Sequence, residues 1–421
     1  MILRTVVLKQ KEERDTLLKY KYVKRICDGN TEDYLLSNLI KLITGPRRAG
    51  KSVFALQLLK SKKFAYLNFD DDLLLRHFDE DLIWQLLMEI YPKFEYLLFD
   101  EIQNLPNWEL WVAKLYRRRN NIIITGSNSN LLSSEMATAL TGRFVQINIL
   151  PFSYAETLVL KNIPAVFETP TQKALLLQQL ADILKYGSFP ETIETRSITR
   201  NYLSALYDSI LLKDITKRFK IRNSNELYIL STYLLTNYCN PFSVNQLAEE
   251  LKIGSVHTAQ KFCKYLSDPF LFFYLFRYNN KLKIMQKAPQ KIYVVDNGFV
   301  AAHSFELSEN RGRLLENLVF VELMRRGYHT QQTLFYYRTR NDKEVDFVCR
   351  NMHQIETLIQ VSYDLQNPKT FKREISSLIE AKGELNCSNL LILTWDEDNV
   401  VEENGVSVAI KPVWKWLLNI N

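Results

Sequence analysis

The chain has 421 residues, with 54 lysines and arginines against 47 aspartates and glutamates, a net charge of +7, and 47% hydrophobic and 24% charged residues. These ordinary globular proportions exclude fibrous, collagenous and intrinsically disordered classes, and at about 150 residues per domain they leave room for two or three cores. The positive balance permits a nucleic-acid partner without requiring one.

In chain order, Met1 to Lys9 lacks the apolar core of a secretory signal, and the longest aromatic run, Pro269 to Phe276, is too short to span a bilayer. The expectation is a cytoplasmic protein with no membrane contact. Cys27, Cys239, Cys263, Cys349 and Cys387 are scattered without a CxxC pair, which fits reduced structural thiols rather than a disulfide framework or zinc site. Lys9 to Arg25 gathers cations around Tyr20 and Tyr22, and Arg117-Arg118-Arg119 ends a predicted helix. Such runs are usually solvated faces.

The apolar run Leu39 to Ile43 reads as a strand and leads directly into Gly45-Pro46-Arg47-Arg48-Ala49-Gly50-Lys51-Ser52, a complete GxxxxGK[ST] pattern. The two glycines let the backbone curl so that successive N–H groups face phosphates, and the helix starting near Lys51 turns its positive end toward them. Lys51 is expected on the β and γ phosphates and Ser52 on Mg²⁺, so ATP with Mg²⁺ is the expected ligand pair. A second strand candidate, Phe64 to Phe69, precedes a third, Tyr96 to Phe99, that ends in Asp100-Glu101. Asp100 is expected to hold the metal through its water shell, and Glu101 to act as general base on the attacking water. Further strand candidates are Asn121 to Gly126 and Phe144 to Ile149. Short apolar strands alternating with helices predict a parallel sheet covered on both faces.

A strand inserted between the phosphate-loop strand and the acidic strand, with Glu next to Asp, resembles the AAA+ division of P-loop ATPases; no NKxD-type guanine-reading segment follows. The resemblance implies a polar sensor at Ile124-Thr125-Gly126-Ser127-Asn128, where Asn128 or Ser127 orients the lytic water, and an arginine finger at Arg143 in Leu140-Thr141-Gly142-Arg143-Phe144. The residue-level alternatives are a turn at Ser127-Asn128 and a solvated Arg143. Whether Arg143 acts on its own subunit or on a neighbour stays open. Over nearly the whole chain, the order of GxRRxGKS, FDEIQ, TGS and GR segments resembles a widespread prokaryotic family of AAA+ ATPases with a C-terminal domain of unknown function. Leu150 to Glu156, Tyr186 to Glu191 and Leu212 to Ile215 support that resemblance.

Farther on, Phe242 to Leu251 predicts a short helix, Lys252-Ile253-Gly254 a turn, and Ser255 to Leu266 a second helix capped by Ser255. Val256, Ala259, Phe262 and Leu266 are expected to face the core, leaving His257, Thr258, Lys261 and Lys264 outward as possible DNA contacts. With strands over Phe270 to Phe276 and Lys291 to Val295, this predicts a winged helix, serving either as a DNA reader or as a protein-contacting lid.

Toward the C-terminus, Arg313 to Val319, Lys343 to Val348 and Leu358 to Ser362 resemble the helix and two strands of a PD-(D/E)xK nuclease fold. Glu316 and Asp346 match the family's acids, while Gln360 and Ser362 stand where active members carry an acid and a lysine, so the site is degenerate and cleavage is not expected. Glu316 matches the family position, but Glu322 lies nearer the centre of the Leu315, Leu318, Val319 stripe; only one is expected to face Asp346. The acids are expected to pair with Arg338, Arg340 or Arg350. Asn389 to Thr394 and Val406 to Ile410 add strands.

The resulting expectation is an α/β chain in four parts: an AAA+-like P-loop domain over 1–160, a helical connector over 161–225, a winged helix over 226–300, and a restriction-endonuclease-like α/β domain over 301–421. Its expected activity is Mg²⁺-dependent ATP hydrolysis coupled to action on DNA or a protein partner, with oligomerisation open. The alternatives are a slow nucleotide-switched signalling or defence protein and an ATP-regulated metal nuclease.

Overall fold

The computed structural model describes residues 1–420 except 28, 30, 128–139 and 304–309. The chain forms two compact units: Met1–Pro151 with Asp268–Phe270, and Phe152–Ser267 with Leu271–Asn421.

In the first unit, β1 (Ile40–Thr44), β2 (Phe64–Asn68), β3 (Tyr96–Asp100), β4 (Asn121–Gly126) and β5 (Phe144–Asn148) form a sheet in the order β2-β3-β4-β1-β5, every neighbouring pair parallel. The strand that separates β1 from β3 in space is therefore β4, whereas the segment between them in sequence, β2, lies at the outer edge. The three central strands are buried on both faces, as a doubly covered sheet requires. Alternate residues sort to the two sides. Leu42, Leu67, Phe99 and Ile124 pack against helices Ile2–Leu17, Glu80–Ile90 and Trp108–Arg117, while Ile43, Tyr66, Leu98 and Ile123 pack against helix Lys51–Leu59. Phe99 stacks on Trp111 with ring centroids 4.7 Å apart, a contact worth about 0.5–1.5 kcal/mol beyond its buried area, and this anchors the residue immediately before Asp100.

In the second unit, β6 (Pro241–Phe242), β7 (Phe272–Leu275) and β8 (Gln290–Val294) form an antiparallel sheet in the order β6-β8-β7. Helices Val244–Glu250 and Val256–Ser267 precede β7. The first begins after Ser243, whose hydroxyl accepts the Gln246 N–H, so Phe242 belongs to β6 rather than to the expected helix. Ala259, Phe262 and Leu266 are buried as expected, but Val256 is 45% exposed because it opens the helix ahead of the packed face. A second sheet comprises β9 (Leu334–Arg338), β10 (Glu344–Arg350), β11 (Ile355–Val361), β12 (Leu390–Thr394), β13 (Asn399–Glu403) and β14 (Val406–Pro412). Its order is β13-β14-β12-β11-β10-β9, with parallel pairing only at β11-β12 and β12-β14. Helix Pro368–Leu385 covers one face through Ile375, Leu378 and Ala381.

Two of the supporting segments acquire a structural meaning. Ser153 and Glu156 form a reciprocal capping box on helix Tyr154–Leu160. At Gly187-Ser188, the Ser188 N–H and hydroxyl both donate to the buried Asp296 carboxylate, at 2.7 and 3.0 Å. The segment Leu212 to Ile215 lies in a π-helical stretch, Ile210–Lys217. Cys239, Cys263, Cys349 and Cys387 are buried and free, and among the described residues no helix is long and apolar enough to cross a membrane.

Candidate functional site

The phosphate loop joins β1 to helix Lys51–Leu59, and two glycines make its curvature possible. Gly45 runs so close to the Ile149 carbonyl that any side chain there would collide with it, and Gly50 adopts φ +91° at the helix N-cap. Arg25 is buried and brackets the loop: its guanidinium donates to the Ala49 carbonyl and, at 2.6 Å, to the Leu150 carbonyl. Lys51 is 3% exposed, donates to the Pro46 carbonyl at 3.0 Å, and lies 3.9 Å from Glu101 Oε1.

Three side chains converge on Asp100 at the end of β3. Ser52 donates to Oδ1 at 2.8 Å, Thr125 of β4 donates to the same oxygen, and the Tyr66 hydroxyl lies 3.3 Å from Oδ2. Burial pushes the Asp100 carboxyl above its ordinary value and neighbouring Glu101 adds to the shift, while Thr125, Ser52 and Lys51 oppose it. Glu101 follows in a left-handed conformation, φ +51°, with its N–H donating to Thr125 Oγ1 at 3.0 Å. Gln103, in the 3-10 turn Ile102–Asn104, donates through Nε2 to Glu101 Oε2 at 2.5 Å. A hydroxyl and a carboxylate meeting at hydrogen-bond distance are hard oxygen donors of the kind Mg²⁺ takes.

Lys51, Ser52, Asp100 and Glu101 are therefore brought together as expected, with the backbone of Gly45, Pro46, Arg47, Arg48, Ala49 and Gly50 forming the loop. Asn128 lies outside the described residues; Ser127 is buried, 3.5 Å from Gln103 Nε2. The described polar residue of β4 that touches Asp100 is Thr125, which belongs to the expected sensor segment but carries no role in the sequence pattern. Arg143 is not brought to its own loop. Its carbonyl accepts the Ile40 N–H at 2.8 Å, at the start of β1. The phosphate loop leaves the other end of that strand, about 16 Å away at about 3.3 Å per residue, beyond the reach of an arginine side chain.

The second unit gathers another polar cluster, at a cavity of about 710 Å³ lined by Glu316, Glu344, Asp346, Gln360, Ser362 and Lys291 among others. Lys291 of β8 is 1% exposed, and its Nζ lies 2.6 Å from Glu316, 3.0 Å from Glu344 and 3.1 Å from Asp346. Tyr293 donates to the same Glu316 oxygen at 2.7 Å. Burial alone would lower the Lys291 pKa, but Glu316 and its neighbours hold it well above the ordinary value, while burial pushes Glu316 up to about 7. Glu316, not Glu322, shares this site with Asp346; Glu322 pairs with Arg325 and Arg326, each at 3.1 Å. The expectation that Arg338, Arg340 or Arg350 would neutralise the pair is corrected by Lys291, a residue read only as part of a wing strand. Gln360 accepts the Asp346 N–H at 2.7 Å and donates to Glu374 at 2.5 Å, and Ser362 donates to the Asp364 carbonyl. No group of three or more described metal-ligating side chains has metal-binding geometry. On helix Val256–Ser267, His257, Lys261 and Lys264 are exposed and Thr258 is half-buried, its hydroxyl 2.9 Å from that of Ser255.

A parallel sheet ordered 5-1-4-3-2, with a phosphate loop after β1 and an Asp-Glu pair after β3, defines a P-loop ATPase of AAA+ type. Residues 37–158 match the model of an AAA domain (AAA_14), 177–310 a domain of unknown function (DUF8612), and 311–413 another (DUF4143). The uncharacterized protein MJ1544 of Methanocaldococcus jannaschii is 35% identical over 411 residues, 94% of this chain and 91% of its own length. An uncharacterized protein of Haemophilus influenzae is 34% identical over 399 residues, 91% of this chain and 95% of its own. Among solved structures, the Walker-type ATPase PABY2304 of Pyrococcus abyssi has a TM-score of 0.45 at 15% identity, covering 68% of this chain and 99% of that one. The chain belongs to the prokaryotic AAA-domain P-loop ATPase family represented by MJ1544 and its Haemophilus relative.

Proposed function

We propose that the protein binds ATP with Mg²⁺ and hydrolyses it in the first unit, using the change to act on DNA or a protein partner. The observation that carries this reading is the 2.8 Å contact between Ser52 and Asp100, with Lys51 and Glu101 on either side. Ser52 and Asp100 would hold Mg²⁺, which would neutralise charge on the phosphates. Lys51 binds the β and γ phosphates, the loop N–H groups cradle them, and Glu101 takes a proton from the attacking water. Asn128 is proposed to orient that water. Arg143, at the opposite end of β1, is proposed to act on the nucleotide of a neighbouring subunit in an oligomer.

The four-part division 1–160, 161–225, 226–300 and 301–421 is kept as a proposal. In it, the elements from Pro241 to Val294 are a winged helix, whose exposed His257, Lys261 and Lys264 favour DNA as partner; the exposed Val256 at the same helix start favours the protein-docking alternative. The C-terminal part is a nuclease-like domain without cleavage. Supporting this, the Lys291 ammonium already lies against both Glu316 and Asp346, and Gln360 is engaged in holding the strand of Asp346. A cytoplasmic location is the accompanying proposal. Lys51→Ala should abolish nucleotide binding, whereas Glu101→Gln should retain ATP and leave it unhydrolysed. ATP turnover with both variants tests the assignment, and parent-like turnover by both removes it.

A further inference from the structure

The turn after β3 puts a carboxamide against the proposed general base, and the geometry there is asymmetric. Gln103 Nε2 lies 2.5 Å from Glu101 Oε2 and 3.5 Å from Ser127 Oγ. A carboxylate only accepts, so the amide end facing Glu101 must be the NH₂ group and the other end the carbonyl. That carbonyl, Gln103 Oε1, is buried and has no hydrogen-bond partner among the described residues. An orphaned buried acceptor is costly, and it persists where a stronger contact elsewhere on the side chain offsets it; a charge-assisted bond to a carboxylate is such a contact. The second carboxylate oxygen, Glu101 Oε1, faces Lys51 Nζ at 3.9 Å, at the phosphate end of the site. The Glu101 backbone, at φ +51°, is in a sparsely populated conformation for a residue other than glycine.

We propose that Gln103 is the positioning residue for Glu101: its carboxamide holds Oε2 and thereby aims Oε1 at the water that attacks the γ-phosphate. This rests on the ATPase reading above. A glutamate left unheld spreads over several rotamers, and a base displaced by about 1 Å loses up to about 100-fold in rate. Gln103 makes no contact with the phosphate loop among its hydrogen bonds, so nucleotide affinity is independent of it.

The test uses the full chain in two variants, Gln103→Met and Glu101→Gln, with kcat and KM for ATP and binding of a fluorescent ATP analogue. Methionine keeps the length of the side chain and removes the donor: kcat should fall on the order of 10- to 100-fold with analogue affinity and KM unchanged. Parent-like kcat in Gln103→Met, or loss of analogue binding in step with kcat, would overturn the proposal. Parent-like turnover by Glu101→Gln would remove the base assignment and this proposal together. A slow Glu101→Gln beside a parent-like Gln103→Met would remove the proposal alone.

Discussion

Replacing Lys291 with methionine should destabilise the second unit by an amount that grows with pH. The ammonium is 1% exposed and lies within 2.6–3.1 Å of Glu316, Glu344 and Asp346, so it is the shared counter-charge of three carboxylates. Methionine fills nearly the same volume, which leaves electrostatics as the main loss. Removing one partner of a buried ion pair costs about 3–5 kcal/mol, because the remaining charge loses its counter-ion. Glu316 offers partial relief by binding a proton. Its folded-state pKa, pushed up by burial to about 7, lies above the unfolded value, so the folded state binds this proton more tightly and ionisation destabilises it as pH rises through that window. Without Lys291 the folded value climbs further, at about 1.4 kcal/mol per unit, and the window extends upward. The loss should therefore be smaller at about pH 6 than at about pH 8.5. Native-state hydrogen exchange of amides in β8 and β10, corrected for intrinsic rates, reads this directly. Adding Glu316→Gln and Asp346→Asn to the variant should restore most of the protection. Parent-like protection in Lys291→Met at both pH values would refute the reasoning.

Asp296 supplies a second pH dependence of opposite sign to the usual carboxylate. Burial raises it from 3.8 to about 6, although Ser188 and Gly298 donate to it. Between about pH 4 and 6 the unfolded chain ionises while the folded one stays protonated, so this group withdraws about 3 kcal/mol as pH rises through that window and nothing further above it; Asp296→Asn should remove that slope from urea unfolding midpoints. Plasmid, single-stranded DNA and RNA should survive incubation with Mg²⁺ or Mn²⁺, and cleavage that disappears in Asp346→Ala would contradict this. If the winged-helix proposal holds, Lys261→Glu with Lys264→Glu should weaken DNA binding and reduce its salt slope by about one for each phosphate no longer neutralised. Unchanged affinity in a salt titration would move the role of that helix to protein docking.

The nucleotide site was legible because its chemistry is local. A glycine-bounded loop after an apolar strand and two acids ending another carry their meaning in adjacent residues, and the structure places Lys51, Ser52, Asp100 and Glu101 together accordingly. What escaped depends on strand order. Thr125 reaches Asp100 only because β4 lies between β1 and β3, and no pattern within Asn121 to Gly126 states that neighbourhood. Lys291 is a lysine inside an apolar strand, as is Lys41, and nothing nearby says which buries its charge against acids from other elements. Glu322 misled for a different reason: ten of the fifteen residues in helix Arg311–Arg325 are buried, so a stripe argument, which assumes one wet face, has little to discriminate on.

Arg25 gives the stretch before β1 a role in holding the phosphate loop. One guanidinium ties the Ala49 carbonyl inside the loop to the Leu150 carbonyl beyond β5, so the loop's rear wall is built from two places far apart in the chain. The AAA-domain match begins at residue 37 and leaves this arginine out. A fragment cut at that boundary would keep every motif residue and lose the brace. Its loop would have to find a new partner for the Ala49 oxygen, and weakened nucleotide affinity in such a fragment would report a missing support rather than a defective motif.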